Sequence, residues 1–375
     1  MDEKGESVNI GPFRFSMREM SGAMGDFGTL LPLAVGYISV CGLNPAGLLV
    51  TIGLANILTG LIYRLPIPIE PMKVIAAVAI AQRWEPSMIH AAGFSMGVVW
   101  LAIFATRVMD RVAVLTPEPV VRGIQVALGI LLAAQAFEMV AGSWVLGAVC
   151  IGIILILRKN PYAPAAIVLI GLGVGIMFLR GQLGGIGFAG PSLPNLTMFH
   201  PIQIWKSLLG AGFAQIPLTA TNAIIVTAAM IKNYWPEREV GVNQLSLSTG
   251  IMNLVSPFLG GMPMCHGAGG LASQYYFGAR TGGANIIEGT IEVALGILLA
   301  TSIANLFALF PGPIIGAMML LVGIQLVGFG RKFGSGRDLI PLAVTVAVSL
   351  ITNMAFGFAA GVLVHYGIRR LARVW

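Results

Sequence analysis

Charge is scarce in this sequence. Asp, Glu, Lys and Arg make up 10% of its 375 residues, against about 25% in a soluble globular domain, so a water-solvated surface along most of the chain is excluded. Cysteine is scarcer still: Cys41, Cys150 and Cys265 stand too far apart for a disulfide framework or a zinc-ligand spacing. Cys265–His266 has no third or fourth ligand in evidence, so no metal site is expected, and no cofactor is implied. The four His residues are widely spaced and no nucleophile motif accompanies them, which makes an enzyme the weakest reading. The opening stretch MDEKGESVNIGPFRFSMREM is polar and lacks the apolar centre of a cleavable signal peptide. A net charge of +7 invites a nucleic-acid reading. The Lys and Arg residues, however, are scattered singly between apolar runs, and no nucleic-acid face is expected.

What is abundant is apolar. Hydrophobic residues make up 57% of the chain, the mean hydropathy is +0.87, and 49 glycines suit close helix packing in a lipid bilayer. The chain is also duplicated. Residues 51–77 and 248–274 align at a constant offset, pairing Gly53 with Gly250, Asn56 with Asn253 and Pro66 with Pro263. A second pair, PEPVV at 117–121 and PGPII at 311–315, is followed at equal distance by Gly129 and Gly323. In a membrane chain, duplicated halves with Pro and Gly interruptions at matching places predict a secondary transporter. The interruptions then mark its substrate site.

Apolar segments near 20–40, 46–62, 67–82, 88–106, 119–137, 143–157 and 163–180 predict seven spans. Seven more fall near 207–231, 244–260, 264–278, 285–308, 313–329, 338–353 and 355–370. The expected fold is therefore an all-α membrane protein of about fourteen spans. The third and tenth segments are too short to cross ~30 Å of hydrocarbon and read as half-helices that start near the midplane. With the N-terminus inside, seventeen Lys and Arg residues fall on the cytoplasmic side, while Arg83, Arg180 and Lys206 fall outside. This is a strong positive-inside bias, and both termini are expected in the cytoplasm of a cell (plasma) membrane. Seven spans per half invert the second copy relative to the first. The expected division is a tail at 1–17, repeats at 18–180 and 205–375, and an extracytoplasmic linker at 181–204.

Ionisable residues within spans are costly and are functional candidates by default: Asp26, Glu70, Lys73, Arg122, His266, Glu288 and Glu292. In IEPMK at 69–73, Pro71 suits a first helical turn. Lys73 in that turn opposes the helix dipole unless an anion binds there. CHGAGG at 265–270 offers successive backbone N–H groups with little side chain in the way, an anion cradle at a second helix N-terminus. The amides at 72–74 and 267–270 are thus expected to face the anion. Bland readings stand beside these: Lys73 pairs structurally with Glu70 or Glu288, His266 is a packed neutral imidazole, and Arg122 anchors the inner end of its span. Glu288 and Glu292 share one helical face, one as polar packing and Glu288 as a further site member.

The segments GDFGTLLPL (25–33), PIEPMKVIAA (68–77), AQIPLTATNAIIV (214–226) and PMCHGAGGLASQYYFGARTG (263–282) resemble the molybdate transporter family, related to the SulP sulfate permeases. The resemblance runs along nearly the whole chain. It implies a seven-plus-seven inverted repeat with a core domain (spans 1–4 and 8–11) and a gate domain (spans 5–7 and 12–14). Relatives suggest a homodimer through the gate. Substrate would lie between Glu70, Pro71, Met72 and Lys73 on one side and Cys265, His266, Gly267, Ala268, Gly269 and Gly270 on the other. Thr29, Gln215, Thr219 and Asn222 would flank it, and Asp26, Glu70 and Glu288 would be proton-coupling candidates. The family pattern has Gln where this chain has Glu70. Burial and a neighbouring anion would both favour a protonated carboxyl there, so the expectation is a proton-coupled molybdate symporter. A plain Glu70–Lys73 ion pair is the other reading, and Glu70→Gln separates the two. Sulfate is the near rival as substrate. An anion channel on the same fold would differ in lacking saturable, concentrative uptake. A nucleobase permease would want carboxylates in spans eight and ten.

Overall fold

The computed structural model describes residues 8–109, 117–157, 165–185, 190–330 and 336–371. They are mostly helical, in the order β1 (Val8–Ile10), β2 (Phe13–Phe15), α1 (Met17–Ala23), α2 (Phe27–Ser39), α3 (Pro45–Tyr63), β3 (Ile69–Pro71), α4 (Lys73–Ala81) and α5 (Pro86–Thr106). Then come α6 (Glu118–Val140), α7 (Trp144–Leu157), α8 (Ala165–Leu179), α9 (Pro201–Tyr234), α10 (Val242–Val255), β4 (Met264–His266) and α11 (Ala268–Tyr276). The last four are α12 (Gly283–Ala308), α13 (Gly312–Gly330), α14 (Gly336–Ile351) and α15 (Met354–Leu371). Among the described residues, α3, α5, α6, α9 and α12 are long and apolar enough to cross a membrane. The two short helices expected at 67–82 and 264–278 are α4 and α11, of nine residues each.

Each of these short helices follows a three-residue strand, and the two strands pair with one another. β3 and β4 run antiparallel, with Ile69 opposite His266, Glu70 opposite Cys265 and Pro71 opposite Met264. The Met72 amide donates to Pro263 O (2.9 Å) and the Gly267 amide to Pro68 O (3.2 Å), so the two half-helices begin side by side. Pro71 therefore ends a strand and does not open the helix. Met72 is the cap and Lys73 the first helical residue, because the strand ladder, not the proline, sets where helical geometry begins.

The duplicated residues explain how those strands are held. Asn56 Oδ1 accepts from the Ile69 amide (2.9 Å), and Asn253 Oδ1 accepts from the Met264 amide (2.9 Å). Each Asn thus fastens the strand that leads into the half-helix of its own half. Gly53 and Gly250 let helices cross at backbone distance: a Cβ on Gly53 would lie 2.6 Å from Gly289 O, and one on Gly250 would lie 3.0 Å from Leu101 N. These are the α3–α12 and α5–α10 contacts, two pairings that exchange when the halves are swapped.

Three features depart from plain spans. The segment expected as one helix at 20–40 is broken at Met24–Asp26 between α1 and α2. Leu208–Gly212 and Thr219–Ile225 of α9 are π-helical. The N-terminal region carries a hairpin, β1–β2, tied down by Arg14 N–H donating to Thr281 Oγ1 (3.1 Å). Buried Glu19 reinforces that tie, its Oε1 accepting from the amides of Arg280 (3.1 Å) and Thr281 (3.0 Å).

Candidate functional site

The N-termini of α4 and α11 open onto one cavity of about 540 Å³. Lys73, Gln215, Thr219, Asn222, Cys265, His266, Gly267, Ala268 and Gly269 all line it, so nine of the residues singled out from sequence meet in one place. Pro71, Met72, Glu70 and Gly270 lie behind that wall, fully buried. Thr29 belongs to α2, and its side chain lies outside the described residues.

The amides of the cradle are partly engaged. That of Met72 is bound to Pro263 and that of Gly267 to Pro68. Gln215 Oε1 accepts from Val74 N–H (2.8 Å), and Gln215 Nε2 donates to Thr219 Oγ1 (2.7 Å). The Gln215 amide therefore caps the first half-helix and clips it to the π-helical turn of α9, where unusual backbone geometry often accompanies function. Ala268 and Gly269, in the first turn of α11, have amides with no acceptor inside their own helix, and both residues face the cavity. Two helix N-termini of roughly half a positive charge each thus converge there with the Lys73 amine.

Behind Lys73 stands a group of carboxyls. Glu70 Oε2 is 2.5 Å from Lys73 Nζ, and Glu70 Oε1 accepts from the Gly270 amide (2.9 Å). Asp26 is wholly buried, and among the described residues neither of its oxygens has a hydrogen-bond donor; it meets Glu70 beside Gly270, where a Cβ would run into both side chains. Further back on α12, Glu292 Oε2 accepts from Asn56 Nδ2 (2.9 Å) and Glu288 Oε2 from Gln274 Nε2 (2.6 Å). Neither Glu288 nor Glu292 is exposed. Four buried carboxyls near one amine cannot all be ionised in a medium that solvates charge so poorly.

On the other flank, His266 Nε2 lies 2.7 Å from Ser248 Oγ, which also accepts from the Tyr63 hydroxyl (2.9 Å). The ring's Nδ1 has no hydrogen-bond partner among the described residues.

Sequence reasoning missed part of the wall. Glu118, Arg122 and Gln125 of α6 line the same cavity, with Arg122 ion-paired to Glu118 one turn earlier. Arg122, an ionisable candidate expected to anchor the inner end of its span, lines this cavity near the start of α6. Its signal was present, since few cations fall within spans.

Solved structures share this fold. The fold matches the transmembrane domain of a cyanobacterium bicarbonate transporter, BicA, with a TM-score of 0.71 at 16% identity, covering 96% of this chain and 100% of that one. The chain thus shares the fold of that transmembrane domain, with five helices among its described residues long and apolar enough to cross a membrane. It belongs to the molybdate transporter family: residues 18–132 and 207–326 match the family described as "Molybdate transporter of MFS superfamily". Arabidopsis thaliana Molybdate transporter 2 is 31% identical over 92% of this chain and 86% of its own length. Molybdate transporter 1 of the same plant is 30% identical over 94% and 88%. The family is one of transporters, not of enzymes.

Proposed function

We propose that this protein imports a tetrahedral oxyanion, molybdate first, by proton-coupled alternating access. The observation that carries the proposal is the meeting of two half-helix N-termini and Lys73 at one cavity. The family and the names of its plant relatives favour molybdate.

In this account fourteen spans form two inverted repeats, 18–180 and 205–375, joined by 181–204. The core comprises the elements from α1 to α5 and from α9 to α12, and the gate comprises the rest. The core slides or rocks against the gate and carries the anion with it. Matching roles for Asn56 and Asn253, and for Gly53 and Gly250, support the repeat. The cavity runs from Lys73 toward Arg122 at the start of α6 and Met230 near the end of α9. In this account these ends face the cytoplasm, as the positive-inside charge bias favours, so the cavity opens inward and both chain termini lie on that side of the cell membrane. A homodimer would form through the gate.

Proton coupling is supported by the crowding of Asp26, Glu70, Glu288 and Glu292 around one amine. Reconstituted vesicles with an inward proton gradient test the whole reading. Saturable, concentrative molybdate uptake that collapses with the gradient is expected. Uptake that never exceeds the outside concentration would point to a channel and contradict the proposal.

A further inference from the structure

Glu70 already occupies a donor that the proposed oxyanion needs, the Lys73 amine. Its carboxyl spans Lys73 Nζ at 2.5 Å and the Gly270 amide at 2.9 Å, one from each half-helix. Its Oε1 lies 2.7 Å from where a Cβ on Gly270 would stand, and a Cβ on Gly267 would meet its Cδ and Cγ. Glycine at both positions therefore makes the room in which the carboxyl sits. We propose that Glu70 is a tethered counter-anion that masks Lys73, so that the oxyanion binds only when Glu70 takes up a proton. This rests on the oxyanion reading of the cavity and supplies its coupling step.

With Glu70 ionised, Lys73 presents no net charge to an incoming dianion, and only the helix ends attract it. Glu70 cannot swing away into water, since it is fully buried and walled by β4 and Gly270. Neutralising it is the remaining way to restore the full charge of Lys73. The balance is simple: a hydronium in the cavity gives up one O–H bond, one forms on Glu70, and no other bond changes. The protonated carboxyl keeps an oxygen for the Gly270 amide, and its new O–H can turn to Asp26, whose oxygens have no donor among the described residues. Lys73, 28% exposed through its side chain, stands between this pair and the cavity water. The titratable groups facing Glu70 are Asp26 from the start of α2, Lys73 from α4, Cys265 across the strand pair, and Glu288 and Glu292 from α12. Among them Lys73 and the Gly270 amide contact the Glu70 oxygens as donors.

The test is titration calorimetry of molybdate into the purified full-length protein, in buffers of differing ionisation enthalpy, across a range where molybdate stays fully ionised. Wild-type protein is expected to take up about one proton per anion, with Kd rising about tenfold per pH unit on the alkaline side. Glu70→Gln is expected to bind with no proton uptake, at a Kd that no longer depends on pH and is at least about tenfold tighter than wild type at the alkaline end. Glu70→Gln with the wild-type proton count and pH slope would overturn the proposal. So would wild-type binding without proton uptake, a measurement that decides the matter even if the variant does not fold. Those results would leave the oxyanion reading standing. Wild-type protein that binds no oxyanion at any pH would instead sink that reading, and this inference with it.

Discussion

Gly129 and Gly323, counterparts in the duplicated sequence, pack directly against one another. A Cβ on Gly129 would lie 2.7 Å from Gly323 O, and one on Gly323 would lie 2.9 Å from Gly129 O. This is the α6–α13 contact, and in the proposed inverted repeat the symmetry axis would pass through it. A methyl at either position must push two backbones apart, because protein interiors leave no slack at that distance. Gly323→Ala should lower stability by about 1–3 kcal/mol, read as a lower unfolding midpoint in detergent. An unchanged midpoint would mean that the helices separate freely.

The two matched asparagines predict a graded effect. Asn56→Ala strands the Ile69 amide and removes the donor to one oxygen of buried Glu292, whereas Asn253→Ala strands the Met264 amide and removes the donor to the carbonyls of Met264 and Thr249. Leaving a buried donor or acceptor unpaired costs about 1–3 kcal/mol, more where a charged group is involved. Both variants should be destabilised, Asn56→Ala the more severely. Thermal unfolding of the pair side by side gives the order directly.

Gln215 acts through the half-helix it caps. Gln215→Leu removes the acceptor at Val74 N–H and the clip to Thr219, so the first half-helix loses its fixed position on the cavity wall. Oxyanion affinity should fall about tenfold, the equivalent of ~1.4 kcal/mol. Gln215→Glu keeps the acceptor but adds a carboxylate beside the anion and should weaken binding further.

Arg122 lies on the approach to the cradle. Loss of its charge in Arg122→Ala should slow anion entry more than it raises dissociation, and the effect should shrink as salt rises. Stopped-flow binding at two ionic strengths separates that outcome from a purely structural one.

Part of this was legible in the sequence. The duplication located both breaks, and Lys73 beside Pro71, with the glycines after His266, identified the ends of two short helices as an anion cradle. Six of the nine expected residues on the cavity wall, Lys73 and Cys265 to Gly269, come from that pattern, and Gln215, Thr219 and Asn222 come from the family resemblance. Three-residue strands were not legible, because a period of two needs more length to register; hence Pro71 was misread as helical. The π-helical turns of α9 leave no mark on hydropathy. The contact of Glu70 with Gly270 spans 200 residues, and only the strand pairing brings them together. Arg122 was visible as a cation within a span, but which way it faces depends on how α6 packs.

The most direct test of the central claim is calorimetric binding of molybdate, tungstate and sulfate to wild-type protein and to Lys73→Ala. The account predicts tight molybdate and tungstate binding, weaker sulfate binding, and a loss of about tenfold to a hundredfold in the variant, as expected for one charge-assisted hydrogen bond. Sulfate binding tightest would keep the cradle and change its substrate. Molybdate binding that is undiminished in Lys73→Ala would contradict the account, because the anion would then be held somewhere other than between the two half-helices.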